Sequence, residues 1–216
     1  MTARSLRPEV TIVDDDAGVR DALSLLLGLH GYAVRAFASG DAMLAAYQPE
    51  WRGCMLVDIR MPGLDGLALQ AALAARGIAL PVIILTAHGD AANARAALKG
   101  GAFDFLEKPV DDALLVEMID AATRFEAETQ IAASERAQVE RRMQRLTPRE
   151  RQVFDLVVAG RHNREIAAAL DISPRTVEVY KARMMDKLQV ERLPDLIRLS
   201  LDAEHGAGAP GDSRIP

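Results

Sequence analysis

Five side chains able to carry out phosphate chemistry stand at the ends of short apolar runs in the N-terminal half of the chain. They belong to Asp14, Asp15, Asp58, Thr86 and Lys108. Clustered carboxylates repel one another, so a divalent cation would balance their charge, and oxygen ligands with room for water favour Mg²⁺. The Asp58 carboxylate could then attack phosphorus and form an acyl phosphate, while Thr86 and Lys108 contact the phosphoryl oxygens. Plainer interpretations exist for single residues: a turn-initiating Asp58, a helix-capping Thr86 and a surface Lys108.

The apolar runs alternate with helical patterns, which would bring these side chains together. Strands are predicted at 10–13, 32–37, 55–58, 82–85 and 102–106, and apolar residues at helical spacing follow each of them. Five strands alternating with five helices predict an α/β fold, in which a doubly wound parallel sheet has helices on both faces. Because ligands bind at the carboxyl edge of such sheets, the five side chains should meet in one crevice there.

Residues 9–123 resemble the receiver domain of two-component response regulators, which has a flavodoxin-like fold with strand order 2-1-3-4-5. The resemblance rests on four motifs: Val13-Asp14-Asp15, Asp58 with Met61-Pro62-Gly63-Leu64-Asp65-Gly66, Thr86-Ala87, and Phe105-Leu106-Glu107-Lys108-Pro109.

The resemblance implies a phosphoacceptor and a metal site. Asp58 would take a phosphoryl group from the phosphohistidine of a sensor histidine kinase. Mg²⁺ would be bound by Asp15, Asp58 and the main-chain carbonyl of Arg60, with Asp14 acting through water or as a nearby acid. Arg60 and His88 occupy variable positions near the phosphoryl group.

The resemblance also implies a switch. Thr86 would move towards the phosphoryl oxygen, the rotamer of Phe105 would report this movement on the helix 4–strand 5 face, and Lys108 would form the salt bridge.

The segment that follows the receiver-like part has a heptad pattern. Residues 111–145 contain no Gly or Pro, and apolar residues recur every seven positions. The predicted seam consists of Phe125, Ala132, Val139 and Leu146, with Thr129, Arg136 and Met143 four residues later. Two interpretations remain open, a helix that pairs with its copy in a dimer and a solvated linker helix.

The C-terminal part reads as four short helices. Thr147 and Glu150 form a capping box around Pro148, and Asn163 is predicted to cap the second helix. Ser173-Pro174 opens a third helix after a three-residue turn, an arrangement typical of a helix-turn-helix for the DNA major groove. The side chains predicted to face outward are Arg175, Thr176, Glu178, Tyr180, Lys181 and Arg183. Without the turn and the caps, such a charged face would be read as merely solvated.

Residues 146–199 resemble the LuxR/FixJ-type DNA-binding domain. The matching residues are Leu146-Thr147-Pro148-Arg149-Glu150, Val153, Gly160, Asn163-Arg164-Glu165-Ile166-Ala167, Leu170, Ile172-Ser173, Thr176-Val177 and Lys187-Leu188. The resemblance implies DNA contacts from Ser173, Arg175, Thr176, Lys181 and Arg183, and a dimer surface on the fourth helix.

Composition and charge fit two domains with different partners. Residues 1–123 carry 10 Lys and Arg against 16 Asp and Glu, whereas residues 146–200 carry 10 against 8. The single cysteine, Cys54, excludes an internal disulfide, fits a cytoplasmic setting and is expected to be a buried structural thiol. No stretch approaches the roughly 18 apolar residues of a membrane span, so no membrane partner is expected.

Together the two halves resemble a FixJ-type transcriptional response regulator. The predicted organisation is a receiver at 1–123, a helical linker at 124–145, an all-α helix-turn-helix domain at 146–201 and a disordered tail at 202–216. Phosphorylation would drive homodimerisation on a two-fold promoter site, with RNA polymerase as a further partner. Two alternatives are a receiver that acts as a phosphorylation-independent interaction module, and a phosphotransferase or phosphatase. No general base or substrate pocket supports the enzyme, so only self-phosphorylation and self-dephosphorylation are expected.

Overall fold

The computed structural model describes residues 9–87 and 91–205. Two compact units divide between residues 130 and 131, and one helix, Asp112–Met143, continues through this division. The predicted disordered tail began too early, because residues 202–205 belong to the helix Leu193–His205. From position 206 onward the predicted tail lies outside the described residues, and so does His88. None of the helices in the described part of the chain combines the length and the apolarity needed to cross a membrane.

The first unit is built around a five-stranded parallel sheet with the order β2-β1-β3-β4-β5. Its strands are β1 (Glu9–Val13), β2 (Ala33–Phe37), β3 (Cys54–Asp58), β4 (Val82–Thr86) and β5 (Asp104–Glu107). Its helices are α1 (Ala17–Leu29), α2 (Gly40–Ala46), α3 (Gly66–Ala75), α4 (Ala91–Lys99) and the first part of α5 (Asp112–Met143). The flavodoxin-like fold and its strand order are confirmed.

The fifth strand begins later than the predicted 102–106. The amide of Ala102 donates to the carbonyl oxygen of Ala97 at 3.0 Å, and Gly101 has a positive φ of 88°. Residue 102 therefore still belongs to the turn that closes α4. Pairing with β4 starts only where the amide of Phe103 donates to the carbonyl oxygen of Val82 at 2.8 Å.

The core of the first unit consists of two apolar layers, one on each face of the sheet. All five residues of β3 are buried, and alternate side chains enter opposite layers. Met55 and Val57 pack in the layer that contains Trp51, whereas Cys54 and Leu56 pack in the other. Burial raises the pKa of the Cys54 thiol to about 12, so this cysteine is a structural thiol, as predicted.

The second unit is helical throughout its described part and has a core of its own. After the end of α5 come α6 (Pro148–Val158), α7 (Asn163–Leu170), α8 (Pro174–Leu188) and α9 (Leu193–His205). Buried side chains from all these helices form one apolar cluster, which includes Met143, Phe154, Ile166, Met184 and Leu196. The predicted all-α domain is confirmed.

This core uses part of the predicted heptad seam. Met143 is buried in the core of the second unit, and Val139 and Leu146 pack against it. These three side chains are therefore satisfied within one chain, which contradicts a seam running to residue 146. In the upstream part, Phe125 is 51% exposed and Ala132 is half-buried, and pairing of that part with a second copy stays a prediction.

Gly66→Ala is expected to destabilise the first unit by about 2 kcal/mol or more. A Cβ atom at residue 66 would lie 2.4 Å from the carbonyl oxygen of Asp58 and 2.9 Å from the Cα atom of Ile59, and neither backbone atom can rotate away. The measurement is urea unfolding followed by the fluorescence of Trp51, the only tryptophan, which is buried in this unit.

Gly28→Ala is the matched control for this substitution. A Cβ atom at residue 28 meets nothing within 4 Å, and alanine favours a helix over glycine by about 0.5–1 kcal/mol, so this variant should gain stability. Unfolding of Gly66→Ala at the wild-type urea concentration would contradict the predicted clash.

Candidate phosphoacceptor site and nucleic-acid interface

Strand register places the ends of β1, β3, β4 and β5 at one edge of the sheet. Val13 pairs with Val57, and Thr86 pairs with Glu107. A residue that ends one of these strands, or follows it, therefore comes to the same edge as its counterparts. This is the crevice in which the phosphate-handling side chains were predicted to meet.

Lys108 joins two buried carboxylates in this crevice. Its Nζ donates to Oδ1 of Asp58 at 2.6 Å and to Oδ2 of Asp14 at 2.7 Å. The other oxygen of each carboxylate accepts a main-chain amide: Arg60 N lies 2.6 Å from Asp58 Oδ2, and Asp16 N lies 2.9 Å from Asp14 Oδ1. Asp14 is 3% exposed and Asp58 is 7% exposed. Both carboxylates are therefore fixed in position before any ligand arrives.

The ammonium group of Lys108 keeps its proton in this setting. Burial by itself lowers the pKa of Lys108, but hydrogen bonds to Asp14 and Asp58 and the charges of these carboxylates outweigh burial, so the net shift is upward. One positive charge then faces two carboxylates. The crevice keeps an excess of negative charge, which favours a cation.

The other predicted receiver residues differ in how far they enter the crevice. Thr86 is buried at the end of β4, and its carbonyl oxygen accepts the amide of Lys108 at 2.6 Å. Phe105 lies opposite Ile84 in the β4–β5 register and is half-buried against one core layer. Asp15 has an exposed side chain. The structure thus assembles Asp14, Asp58, Lys108 and Thr86, and it leaves Asp15 on the surface beside them.

The donor types at this edge fit the predicted magnesium ion. They are the carboxylates of Asp14, Asp15 and Asp58 and the carbonyl oxygen of Arg60, and oxygen donors are what a hard cation prefers. Within residues 9–87 and 91–205, no three acidic, histidine or cysteine side chains are grouped closely enough to hold a metal by themselves. Mg²⁺ commonly binds through one or two carboxylates and keeps several waters, so these residues suit it better than a metal that needs a complete protein cage.

In the second unit, α7 and α8 are joined by a tight turn. Asp171 ends α7 in the left-handed conformation with a φ of 52°, and the amide of Ile172 donates to the carbonyl oxygen of Ala167 at 3.0 Å. Ser173 then caps α8 by accepting the amide of Thr176 at 3.1 Å. A short helix, a three-residue turn and a longer helix form the helix-turn-helix arrangement that inserts its second helix into the major groove.

The predicted DNA-contacting residues lie on α8 or at its cap, but they are not equally available. Arg175 and Arg183 are exposed, and Ser173 and Thr176 hold the exposed start of the helix. Lys181 is half-buried, and its Nζ donates to Oδ1 of Asn163 at 3.2 Å.

Three details of this interface differ from the sequence-based expectations. Tyr180 is half-buried against the core instead of facing outward. Asn163 is the first residue of α7 and not its cap, because the Glu165 carboxylate accepts the amide of His162 at 2.8 Å and so starts the helix one residue earlier. Val179 is 44% exposed and was not predicted as a contact.

Helical spacing could have pointed to Val179. One face of α8 carries four exposed residues, each of which lies three or four positions from two of the others. They are Arg175, Glu178, Val179 and Ala182. An apolar side chain on such a face can contact the methyl group of thymine.

A buried acid–lysine pair connects the start of α6 to the end of α8. The Thr147–Glu150 capping box is present, as predicted, and Oε2 of Glu150 also accepts a hydrogen bond from Lys187 Nζ at 2.6 Å. Glu150 is 3% exposed. This pair helps to hold α8 against the rest of the unit.

Known proteins resemble this chain over nearly its whole length. The family described as "Response regulator receiver domain" matches residues 10–120, and that described as "Bacterial regulatory proteins, luxR family" matches residues 144–200. The transcriptional regulatory protein FixJ of Azorhizobium caulinodans is 44% identical over 207 residues, which are 96% of this chain and 97% of that protein. FixJ of Rhizobium meliloti is 41% identical and covers 91% of this chain and 97% of its own.

The chain belongs to the response regulators that combine a receiver domain with a LuxR-type DNA-binding domain. Among solved structures, the response regulator StyR has a TM-score of 0.84 at 37% identity and covers 90% of this chain and 98% of its own. The present chain is therefore a phosphorylation-controlled transcription regulator. Its two domains imply a kinase and DNA as its partners.

Glu150→Gln is expected to destabilise the second unit at neutral pH by about 1.5–3 kcal/mol, the usual loss for a hydrogen bond to a charged group. Burial by itself raises the pKa of Glu150, but Lys187 and Thr147 outweigh it and hold the pKa below its ordinary value. A carboxyl group with a lowered pKa stabilises the folded state above its unfolded pKa, and this stability is lost as the pH falls through the folded value. The difference between variant and wild type should therefore persist down to the ordinary pKa of a carboxyl group and vanish once the pH has fallen through the lowered folded value.

Hydrogen-exchange protection factors of the α6 and α8 amides measure this difference in the full chain. Glu165→Gln is the matched control, since Glu165 caps α7 in the same way but is exposed. It should cost less stability than Glu150→Gln. An equal loss in both variants would mean that the Lys187 pair adds nothing to the cap.

Proposed function

We propose that Asp58 is the phosphoacceptor of this response regulator. The observation that carries the proposal is the placement of its carboxylate, which lies buried at the end of β3 with Lys108 Nζ and Arg60 N both at 2.6 Å. Each of these hydrogen bonds uses one lone pair on a different carboxylate oxygen, so each oxygen retains a lone pair that can attack phosphorus. The carboxylate is thus oriented without being blocked.

The transfer that we propose balances as follows. A carboxylate oxygen of Asp58 forms a bond to phosphorus while the bond between phosphorus and the imidazole nitrogen of the kinase phosphohistidine breaks. The electron pair of that bond stays on the nitrogen, and the imidazole takes a proton from solvent. We expect Lys108 and Thr86 to contact the phosphoryl oxygens as negative charge shifts onto them.

Mg²⁺ would be held by Asp14, Asp15, Asp58 and the carbonyl oxygen of Arg60. When bound, the ion supplies positive charge for the phosphoryl oxygens and for the acidic residues. Lys108 Nζ, which now bridges Asp14 and Asp58, would supply a second positive charge for the phosphoryl oxygens.

The signal leaves the crevice, we propose, through the β4–β5 pair. Thr86 moves its hydroxyl towards the phosphoryl group, and its main chain is hydrogen-bonded to Lys108 at the end of β5. Two residues before Thr86 and three before Lys108, Ile84 lies opposite the half-buried Phe105. Deeper burial of Phe105 would reshape the adjacent surface, and two copies would then associate through it.

Association of two copies would place two α8 helices on a two-fold promoter site. Linking the two half-sites raises the affinity for DNA without any new protein–DNA contact. RNA polymerase is the further partner that transcription control requires, and the cytoplasm is the compartment in which promoter DNA and a buried reduced thiol occur together. No turnover enzyme is proposed beyond self-phosphorylation and self-dephosphorylation.

Asp58→Asn is expected to abolish phosphoryl uptake, because an amide oxygen is a poor nucleophile and cannot form the acyl phosphate. The full chain is incubated with acetyl phosphate and Mg²⁺, and the intact mass is measured. Asp65→Asn is the matched control: Asp65 caps α3 by accepting the amide of Ala68 at 2.7 Å, and Asn is an equally good cap, so uptake should persist. Labelling of Asp58→Asn at the wild-type level would falsify the assignment.

The alternative function is a DNA-binding protein whose receiver acts as a phosphorylation-independent interaction module. Asp58→Ala discriminates between the two. If acetyl phosphate raises the DNA affinity of the wild-type protein and this effect is lost in Asp58→Ala, the phosphorylation switch is supported. If acetyl phosphate does not change the DNA affinity of the wild-type protein, and Asp58→Ala binds DNA equally well, the alternative is supported.

Acetyl phosphate with Mg²⁺ is expected to convert the wild-type protein from monomer to dimer in sedimentation velocity, since the reshaped β4–β5 surface is the proposed contact. Asp58→Asn should stay monomeric under the same conditions. A dimer in every sample would contradict the switch in this form and would assign dimerisation to the exposed part of α5 around Phe125.

A further inference from the structure

Three consecutive aspartates connect β1 to α1, and their side chains are held to different degrees. The Asp14 carboxylate accepts hydrogen bonds from Lys108 Nζ and from the amide of Asp16. The Asp16 carboxylate caps α1 by accepting main-chain amides of its first turn. The exposed Asp15 carboxylate has no hydrogen-bond or ion-pair partner among the residues that the structure describes. Of the proposed Mg²⁺ ligands, Asp15 therefore depends most on its main chain for its position.

The side chain of Arg20 reaches back from α1 to this loop. Its Nη1 donates to the carbonyl oxygen of Asp14 at 2.8 Å in a half-buried setting. Arg20 lies in the first turn of α1, where its amide donates to the carbonyl oxygen of Asp16 at 3.1 Å. Helical side chains point towards the N-terminus of their helix, so a long side chain at this position can bind the main chain of the loop that precedes α1.

This hydrogen bond fixes the peptide group between Asp14 and Asp15. The carbonyl oxygen of Asp14 and the amide nitrogen of Asp15 belong to one planar unit. A donor that holds the oxygen therefore also sets the direction in which the chain enters the Cα atom of Asp15, from which the side chain starts. Because the acceptor is a neutral carbonyl and not a carboxylate, the bond orients Asp15 without occupying the oxygens that a cation needs.

We propose that Arg20 is a positioning residue for the magnesium site, which acts on Asp15 through the Asp14–Asp15 peptide group. The inference rests on the proposed phosphoacceptor site, of which Mg²⁺ is a part. Residues that orient metal ligands without touching the metal change its affinity by roughly 10- to 100-fold when they are substituted. Arg20 acts in this way on the main chain that carries a ligand, and it lies outside every motif that the sequence singled out.

Charge and positioning predict opposite effects when Arg20 is removed. The guanidinium group is positive, and a positive charge near a cation site weakens cation binding. If charge were its whole contribution, removal of the guanidinium group would tighten Mg²⁺ binding. If the residue orients Asp15, its removal frees the peptide group and weakens Mg²⁺ binding. The direction of the change therefore identifies the role.

Isothermal titration calorimetry of the full chain with Mg²⁺ tests the proposal. Arg20→Met keeps an unbranched stem but removes the donors and the charge, and its dissociation constant for Mg²⁺ should rise by about 10-fold. Arg20→Lys keeps a donor and should regain most of the affinity. For phosphoryl uptake from acetyl phosphate, Arg20→Met should need about 10-fold more Mg²⁺ to reach the half-maximal rate. It should match the wild-type rate at saturating Mg²⁺, because Arg20 is not among the groups proposed to contact the phosphoryl oxygens.

Arg76→Met is the matched control for Arg20→Met. Arg76 also donates from Nη1 to a main-chain carbonyl oxygen of the same unit, that of Leu44 at 3.2 Å, but it lies at the end of α3 that is remote from Asp58. Its Mg²⁺ affinity should equal that of the wild type. An unchanged or tighter affinity in Arg20→Met overturns the proposal, and so does an equal loss in Arg76→Met. Thermal melting without Mg²⁺ shows whether each variant is folded, and Arg20→Gln replaces Arg20→Met if it is not.

A double-mutant cycle with Asp15→Asn shows whether Arg20 acts through Asp15. In the Asp15→Asn protein the oriented carboxylate is gone, so Arg20→Met should weaken Mg²⁺ binding no further. The same loss in both backgrounds overturns the proposed route. A wild-type protein that binds Mg²⁺ and takes up phosphate, beside an equally competent Arg20→Met, would refute the positioning role alone. A wild-type protein that does neither would refute the phosphoacceptor site, and the role of Arg20 with it.

Discussion

The contact of one ammonium group with two buried carboxylates is the constraint on which the receiver depends. A parallel sheet brings the ends of neighbouring strands to one edge, and here that edge carries Asp14 and Asp58 a few ångströms apart. Two negative charges at this spacing and burial repel each other strongly. Lys108 bridges them and fixes the distance, but it leaves the crevice negative. The same imbalance favours a cation at this edge, as the proposed phosphoacceptor role of Asp58 requires.

Placing this contact requires the backbone around β3 to be tightly fixed. Asp58 reaches Lys108 because Ile59 continues the hydrogen bonding of β3 to Leu85, and because the amide of Gly66 returns to the carbonyl oxygen of Ile59 at 2.9 Å. The start of α3 therefore passes so close to Asp58 that only glycine has room there. The position of the Asp58 carboxylate at the strand end thus depends on packing in the following loop.

Much of this could be predicted from the sequence, and the failures have identifiable physical causes. The strand-end residues and the caps at Thr147 and Ser173 follow from local patterns, because each needs only neighbouring residues to specify it. The strand order was implied only by the resemblance to the receiver family, because no local pattern says which strands pair. The heptad pattern did not predict how its last residues pack, because a periodicity of seven does not say which partner covers the stripe, and the core of the second unit takes Met143. The Lys187–Glu150 contact joins residues far apart in the chain, so no local pattern could reveal it.

The two domains each contain a buried acid bridged to a lysine, and their surroundings explain why only one of these pairs is suited to chemistry. Glu150 is also satisfied by the amide and the hydroxyl of Thr147, and its single charge is matched by the single charge of Lys187. That pair is electrically complete and holds helices together. Lys108 faces two acids instead of one, so the charge is left unbalanced and the crevice can accept a cation and a phosphoryl group. A second carboxylate, and not the lysine–acid contact itself, is what distinguishes the proposed phosphoacceptor site from a structural pair.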